Sequence, residues 1–138
     1  MHFAILDTNV YIGHWERGLY QGTFEAVRRA YIVRHSAVVL SELRRGARTR
    51  DAQRVVESLF RIAPVCWEPT TLDWWEAGRL VRKIGDVQGW DRNKRRDFQN
   101  DTLIALTARR HGASLVTSDL SDFDLLAREL RIQILPAE

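Results

Sequence analysis

Short apolar runs that fit buried strands alternate along this chain with longer segments in which apolar residues recur at helical spacing. Strands are predicted over residues 2–6, 65–67, 114–117 and 131–135. Helices are predicted over residues 20–31, 37–46, 51–62, 72–84 and 98–110, and from Ser121 or Asp122 to Leu130. This alternation predicts an α/β domain with a mostly parallel central sheet flanked by helices.

Capping and breaker residues set several of these boundaries. Ser36 fits the N-cap of the helix over 37–46, which Gly46 ends. Gly85 is expected to stop the helix that begins at Leu72. Residues 85–96 are polar and contain glycines, so they are predicted to form a long basic loop.

The bulk composition fits one globular domain over residues 1–138, with 45% apolar and 28% charged residues. The single cysteine, Cys66, lies in an apolar stretch, so a buried and inert thiol is expected. A chain with one cysteine fits a reducing, cytoplasmic setting. Asp7 interrupts the N-terminal apolar run, and no run is as long as a bilayer span, so neither a signal peptide nor a membrane segment is expected.

The net charge of +3 is mild, but the kind of basic residue is informative. Lys83 and Lys94 are the only lysines, and the other basic residues are arginines, which bind phosphate groups through two parallel hydrogen bonds. The densest basic cluster stands beside Trp90 and is a candidate RNA-binding segment, since aromatic rings stack on bases and cations pair with phosphates. A solvated, flexible loop is the alternative. The cluster consists of Arg92, Lys94, Arg95 and Arg96.

Four acidic residues are predicted to meet at one edge of the sheet. Asp7 closes the first strand, and Asp119 follows the strand that ends at Thr117. In an open parallel sheet, ligands bind beyond the carboxyl ends of the strands. Glu42 and Asp101 lie on helices in otherwise apolar stretches, where an unpaired carboxylate is costly. A divalent cation would relieve the repulsion among these acids, and oxygen ligands favour Mg²⁺ or Mn²⁺.

Each acid also has a structural explanation when it is considered alone. Asp7 could form a turn, and Glu42 could pair with a neighbouring arginine on its helix. Asp101 could interact with the dipole of its helix, and Asp119 could cap the next one. Only the metal site explains why the fold brings all four to one edge, so that interpretation is favoured.

Four segments in series resemble the motifs of PIN domains, and they span nearly the whole chain. Residues 5–9 (Ile-Leu-Asp-Thr-Asn) are similar to the opening motif, and residues 36–46 to the second, which contains a catalytic Glu. Residues 101–108 resemble the third motif and residues 115–123 the closing one. In size and sequence style the chain looks most like VapC-type toxins of toxin–antitoxin pairs.

The resemblance implies a single PIN-like nuclease domain and a role for each matching residue. The residues expected to be catalytic and to bind the metal are Asp7, Glu42, Asp101 and Asp119. Asp122 is expected to hold the loop around Asp119, and the residues expected to support the site through hydrogen bonds are Thr8, Asn9 and Thr117. The reaction implied is Mg²⁺-dependent hydrolysis of RNA phosphodiester bonds that leaves 5′-phosphate and 3′-hydroxyl ends, with Mn²⁺ able to replace Mg²⁺. The partners implied are RNA, an antitoxin protein and a second copy of the chain.

Two other functions are weighed against the nuclease. One is a non-catalytic RNA-binding or regulatory module of PIN type, which the presence of every expected acid disfavours. The other is an aspartate-based phosphatase, which normally has a second acid two residues after its nucleophile. Asn9 occupies that position after Asp7, which disfavours the phosphatase.

Tryptophan placement adds an expectation about surfaces. Trp74 and Trp75 are adjacent on a predicted helix, so they cannot both face the core, and at least one should be exposed or lie at an interface. Trp15 and its neighbours could form part of a partner-binding groove.

Overall fold

The computed structural model describes residues 2–138, which contain six strands and seven helices. The strands are β1 (Phe3–Leu6), β2 (Ile32–Val33), β3 (His35–Ser36), β4 (Cys66–Trp67), β5 (Ser114–Thr117) and β6 (Ile134–Pro136). The helices are α1 (Thr8–Arg17), α2 (Gln21–Ala30), α3 (Ala37–Gly46), α4 (Arg50–Ile62), α5 (Thr71–Gln88), α6 (Arg92–His111) and α7 (Leu120–Glu129).

The central sheet has four parallel strands in the order β2-β1-β5-β6, and β3 and β4 form a separate parallel pair. The two central strands, β1 and β5, are almost entirely buried, which explains the apolar run of β1 and the Leu115-Val116 pair at the centre of β5. Leu6 lies opposite Val116 in the register between them. The residues that follow these two strands therefore emerge side by side, and the predicted α/β fold with a parallel sheet is confirmed.

Helix α6 lies in the centre of the core. Every residue from Thr102 to Ala108 is buried, and Phe98 is fully buried one turn earlier. The helix packs against α5, α7 and both central strands. Burial of large apolar side chains along α6 therefore fixes the position of Asp101 at the start of the buried segment. Within residues 2–138, no helix combines the length and the apolar character that a membrane crossing requires.

The predicted basic loop over residues 85–96 is wrong. Helix α5 continues past Gly85, and Gly89, with a φ of 69°, ends it. Asp91 then caps α6 by accepting a hydrogen bond from the backbone N–H of Lys94 at 2.8 Å. Gly85 lies inside this helix, where the Arg95 guanidinium packs on it and an added Cβ would lie 3.0 Å from the arginine Cζ. The glycine marks a close approach of two helices rather than a helix end.

Other expectations also need correction. Cys66 is exposed rather than buried, since β4 pairs only with β3 within the described residues and presents the thiol at the surface. The strands β2 and β3, two residues each, were too short to predict, and the last strand is centred later than 131–135. The expectation that at least one of Trp74 and Trp75 would be exposed is confirmed, since both are, at 51% and 81%.

Candidate carboxylate site

Asp7 is the most tightly held acid at the sheet edge and is only 3% exposed. Its backbone N–H donates to the carbonyl of Val116 at 2.8 Å, which continues the ladder between β1 and β5. Its Oδ1 accepts a hydrogen bond from the backbone N–H of Thr8 at 2.8 Å. Its Oδ2 accepts from Asn9 Nδ2 and from Thr117 Oγ1, both at 2.9 Å. Three donors from two elements thus fix this carboxylate.

Glu42 reaches the same region from α3. Ser36 caps that helix, accepting a hydrogen bond from the backbone N–H of Val39 at 3.4 Å. Leu40 and Leu43 bury the adjacent face of the helix. The Thr8 hydroxyl donates to Glu42 Oε1 at 2.9 Å and so connects the second predicted acid to the residue after Asp7. The alternative explanation, a pairing of Glu42 with a neighbouring arginine, is not found among the described ion pairs.

Asp101 is partly buried on α6, and its ionised form is disfavoured. Burial, followed by the negative charges of Asp7, Glu42, Asp119 and Asp122, raises the pKa of Asp101 to about 8. Burial also raises the pKa of Asp7 to about 6, although hydrogen bonds from Thr117 and Thr8 partly oppose this effect. The acids from the separate elements therefore lie close enough for their negative charges to repel one another.

Another buried acid, Asp73, shows how a carboxylate is satisfied when its role is structural. It is 1% exposed and forms a capping box with Thr70. Arg110 donates to both of its oxygens, at 2.6 and 3.1 Å. Burial alone would raise the pKa of Asp73, but the hydrogen bonds from Arg110 and Thr70 lower it below its usual value. Neither Asp7 nor Asp101 has a comparable cationic partner among the described ion pairs.

Asp119 and Asp122 complete the cluster at the start of α7. Asp119 caps the helix, its Oδ1 accepting from the backbone N–H of Asp122 at 3.4 Å. Its own N–H donates to Thr117 Oγ1 at 3.0 Å, so one hydroxyl connects Asp7 to Asp119. Asn9 Oδ1 accepts from the backbone N–H of Ser118 at 3.2 Å and holds this turn from the other side.

Asp122 was expected only to hold the loop around Asp119, but its carboxylate lies close to those of two other acids. One carboxylate oxygen from each of Asp101, Asp119 and Asp122 lies within 4.8 Å of the other two. Asp122 Oδ2 also accepts from Lys94 Nζ at 2.5 Å. The sequence did not predict this ion pair, because its two residues are 28 positions apart. The segment that carries Lys94 was also expected to be a loop.

The basic residues before Asp101 have different surroundings. Arg95 donates to Asp86 and to the carbonyl of Trp90, at 2.8 and 3.0 Å, so it fastens α6 to α5. Arg92 and Arg96 are exposed, and Arg96 faces a polar pocket of about 260 Å³ that Glu42 and Arg45 also line. Of the predicted cluster, Lys94 and Arg96 therefore lie next to the acids.

The donor set matches the preference of a hard divalent cation. The grouped ligand atoms are carboxylate oxygens, and neither histidine nor cysteine belongs to the group found in residues 2–138. Magnesium and manganese favour such oxygen ligands. A cation at this position would also offset the repulsion that raises the pKa of Asp101.

Comparison with known proteins places this geometry in a family. A search of curated protein sequences returns no match. One similar solved structure is VapBC from Salmonella typhimurium bound to DNA, with 23% identity, a TM-score of 0.70 and all of both chains covered. VapBC2 from Rickettsia felis, bound to a DNA fragment from its promoter, has 19% identity, a TM-score of 0.70 and 99% of each chain covered. VapBC-1 from Haemophilus influenzae has 21% identity, a TM-score of 0.69 and 97% of each chain covered. The sequence model of the PIN domain matches residues 4–129, and the chain therefore belongs to the PIN domain family.

Proposed function

We propose that this protein is a divalent-metal-dependent endoribonuclease that hydrolyses RNA phosphodiester bonds. The observation that carries the proposal is that carboxylates from four parts of the chain come together beyond the ends of β1 and β5. Hydrogen bonds through Thr8 and Thr117 connect Glu42, Asp7 and Asp119, and Asp101 lies within 4.8 Å of Asp119. Burial and mutual repulsion oppose ionisation of two of these acids, and a bound cation would reverse that. This favours a cation-binding centre over a set of independent caps and turns.

Some residues at this centre would bind the cation, and others hold the binding residues in position. Asp7, Glu42, Asp101 and Asp119 would hold Mg²⁺ or Mn²⁺ by their carboxylate oxygens. When bound, such a cation lowers the pKa of an attacking water and offsets negative charge on the phosphate. Thr117 and Asn9 orient the Asp7 carboxylate by hydrogen bonds at 2.9 Å. Thr8 holds Glu42 at 2.9 Å in the same way.

The substrate must bring phosphates to an acidic site, so nearby cations are needed. Arg45 and Arg96 line the polar pocket beside Glu42 and would bind phosphates on one flank of the scissile bond. Asp101 interacts electrostatically with Glu42, which lines this pocket, and with Asp119 and Asp122 on the α7 side of the site. Proteins that read RNA usually bind single strands or loops with unstacked bases, so such an RNA is the substrate that we propose.

A further part of the proposal is that the protein is the toxin of a type II toxin–antitoxin pair. The structures it resembles are VapBC complexes, some of them bound to DNA. Large apolar side chains on this chain also remain exposed, including Phe60 at 64% and Trp75 at 81%. An antitoxin protein and a second copy of the chain would cover such surfaces.

The nuclease proposal is tested by incubating purified protein with structured RNA, with and without Mg²⁺ or Mn²⁺. We expect cleavage only with metal, and its loss in Asp7→Asn. Asp124→Asn is the matched control, because Asp124 is exposed on α7 and makes no hydrogen bond among those described. Cleavage that persists in Asp7→Asn would contradict the proposal. RNA binding without cleavage in any metal would favour the non-catalytic module.

The toxin proposal has a separate test in bacterial cells. Induced expression of the wild type should arrest growth, whereas Asp7→Asn should not, and Asp124→Asn should arrest growth like the wild type. Co-expression with a small protein encoded next to the gene should restore growth and yield a complex on purification. Normal growth of cells that contain active ribonuclease would contradict the toxin role but would leave the ribonuclease activity standing.

A further inference from the structure

Asp101, Asp119 and Asp122 form a cluster of acids, and Lys94 is the only cation that pairs with any of them among the described residues. Its Nζ lies 2.5 Å from Asp122 Oδ2 and 4.9 Å from the centre of the Trp90 ring. The Trp90 ring in turn packs edge-on against fully buried Phe98, at 4.7 Å between centroids. The aromatic ring and the ion pair therefore hold the ammonium group in one place, although the lysine side chain is 39% exposed.

The position of this ammonium group relative to the acids is specific. Asp122 belongs to the group whose carboxylate oxygens lie within 4.8 Å of one another, together with Asp101 and Asp119. The charges of all three acids raise the pKa of Lys94, with the hydrogen bond to Asp122 as the largest cause. Lys94 thus supplies positive charge where a divalent cation on the α7 side of the cluster would also bind.

Two positive charges cannot share this place without cost. A divalent cation bound by Asp119 and Asp122 would have the Lys94 ammonium as an immediate neighbour, and like charges a few ångströms apart repel strongly. The lysine has a flexible four-carbon side chain and access to solvent, so it can leave. Among the described ion pairs Lys94 contacts Asp122 alone, so a cation held by Asp7 and Glu42 would not need the oxygen that the lysine occupies.

We propose that Lys94 is a positioning residue that acts as a tethered counter-ion and keeps Asp122 out of the cation-binding set. A divalent cation on the Asp119–Asp122 side would then bind only by displacing the ammonium group. The displaced group would remain on the rim of the site, where a phosphate oxygen of the substrate is its natural partner. This inference rests on the proposed function and assigns Lys94 a part in it.

The test counts bound Mn²⁺ by electron paramagnetic resonance and by calorimetric titration. In Lys94→Met, which keeps side-chain length and removes the charge, we expect Mn²⁺ to bind at least about tenfold more tightly, or a second ion to bind. In Lys94→Arg, affinity should stay within about threefold of the wild type because the charge remains. In an Asp122→Asn background, Lys94→Met should have little further effect, since the carboxylate it frees is gone.

Lys83 provides a matched control elsewhere on the chain. It is the only other lysine and pairs with Glu129, at the far end of α7, at 2.8 Å. Lys83→Met removes the same charge and should leave Mn²⁺ binding unchanged. An equal effect of both substitutions would show a general change in net charge and overturn the inference.

Cleavage kinetics provide a second measurement. Because the ammonium group is expected to bind substrate, Lys94→Met should raise KM for RNA and weaken its salt dependence while Mn²⁺ affinity rises. Unchanged or weaker Mn²⁺ binding in Lys94→Met, with a wild type that binds Mn²⁺ and cleaves RNA, would overturn the role of Lys94 and leave the nuclease proposal standing. No Mn²⁺ binding in any variant would overturn both.

Discussion

Replacing Asp101 by Asn should make the metal-free protein more stable while it abolishes cleavage. Most buried polar substitutions destabilise a fold, so this opposite sign is a specific consequence of the site. The carboxylate of Asp101 is held among Asp7, Glu42, Asp119 and Asp122, and no cation pairs with it in the described structure. The amide has nearly the same shape but no charge to bury.

The size of the effect follows from the pKa. A carboxyl group with a pKa of about 8 in the folded protein and a usual value of 3.8 opposes folding by about 4 kcal/mol at pH 7, at about 1.4 kcal/mol per pH unit. The side chain keeps some contact with solvent, and the neighbouring acids share the cost, so we expect Asp101→Asn to raise the free energy of unfolding by about 1–3 kcal/mol.

The assay is urea denaturation in EDTA at pH 7, followed by tryptophan fluorescence, with Asp124→Asn as the exposed control on α7. Addition of MgCl₂ should stabilise the wild type more than Asp101→Asn, because binding to the folded state adds to stability by mass action. Equal or lower stability of Asp101→Asn in EDTA, at unchanged secondary structure, would refute the reasoning about charge repulsion.

The raised pKa values of two of these acids also determine how stability changes with pH. The pKa values of Asp7 and Asp101 are raised to about 6 and about 8. Between roughly pH 4 and pH 8 the folded protein therefore binds more protons than the unfolded chain, and the free energy of unfolding should fall as pH rises. With saturating MgCl₂ the fall should be smaller or reversed, because the cation binds the ionised carboxylates. Stability in EDTA that rises through this window would contradict the assignment.

Four further substitutions test individual contacts and their surroundings. Thr117→Val removes the hydroxyl that donates to Asp7 and should lower the cleavage rate by about 10–100-fold, as RNA-cleavage kinetics would show. Gly85→Ala places a Cβ 3.0 Å from the Arg95 guanidinium, which Asp86 and the Trp90 carbonyl hold in place. The crowding should outweigh the higher helix propensity of alanine and cost up to about 1 kcal/mol in urea denaturation. Gly78→Ala, on the same helix with open space around it, should instead stabilise by up to about 1 kcal/mol. Asp73→Ala leaves Arg110 without its partner and should destabilise by about 2–3 kcal/mol, with the cleavage rate of folded protein unchanged.

The part of the fold that sequence could predict is the part that local rules determine. The apolar runs before Asp7 and up to Thr117 are buried on both faces, so their pattern was unambiguous. Ser36 caps α3 as its hydroxyl suggested. Once these elements are placed, the parallel-sheet rule brings Asp7 and Asp119 to one edge without further information.

What sequence could not predict depends on contacts between distant residues. Gly85 was predicted to end a helix, but it lies within α5, where Arg95 packs against it from another helix. That error concealed the first turn of α6 and, with it, the pairing of Lys94 with Asp122. Cys66 has apolar neighbours in sequence, yet its exposure is decided by the short pairing of β4 with β3.

The proposed metal site is tested most directly by a crystal structure of the protein grown with MnCl₂, with the ion located by its anomalous scattering. We expect a peak bounded by carboxylate oxygens of Asp7, Asp101 and Asp119, with Glu42 bound directly or through water. Manganese elsewhere on the surface, with the Glu42 and Asp101 carboxylates turned away from Asp7, would contradict it.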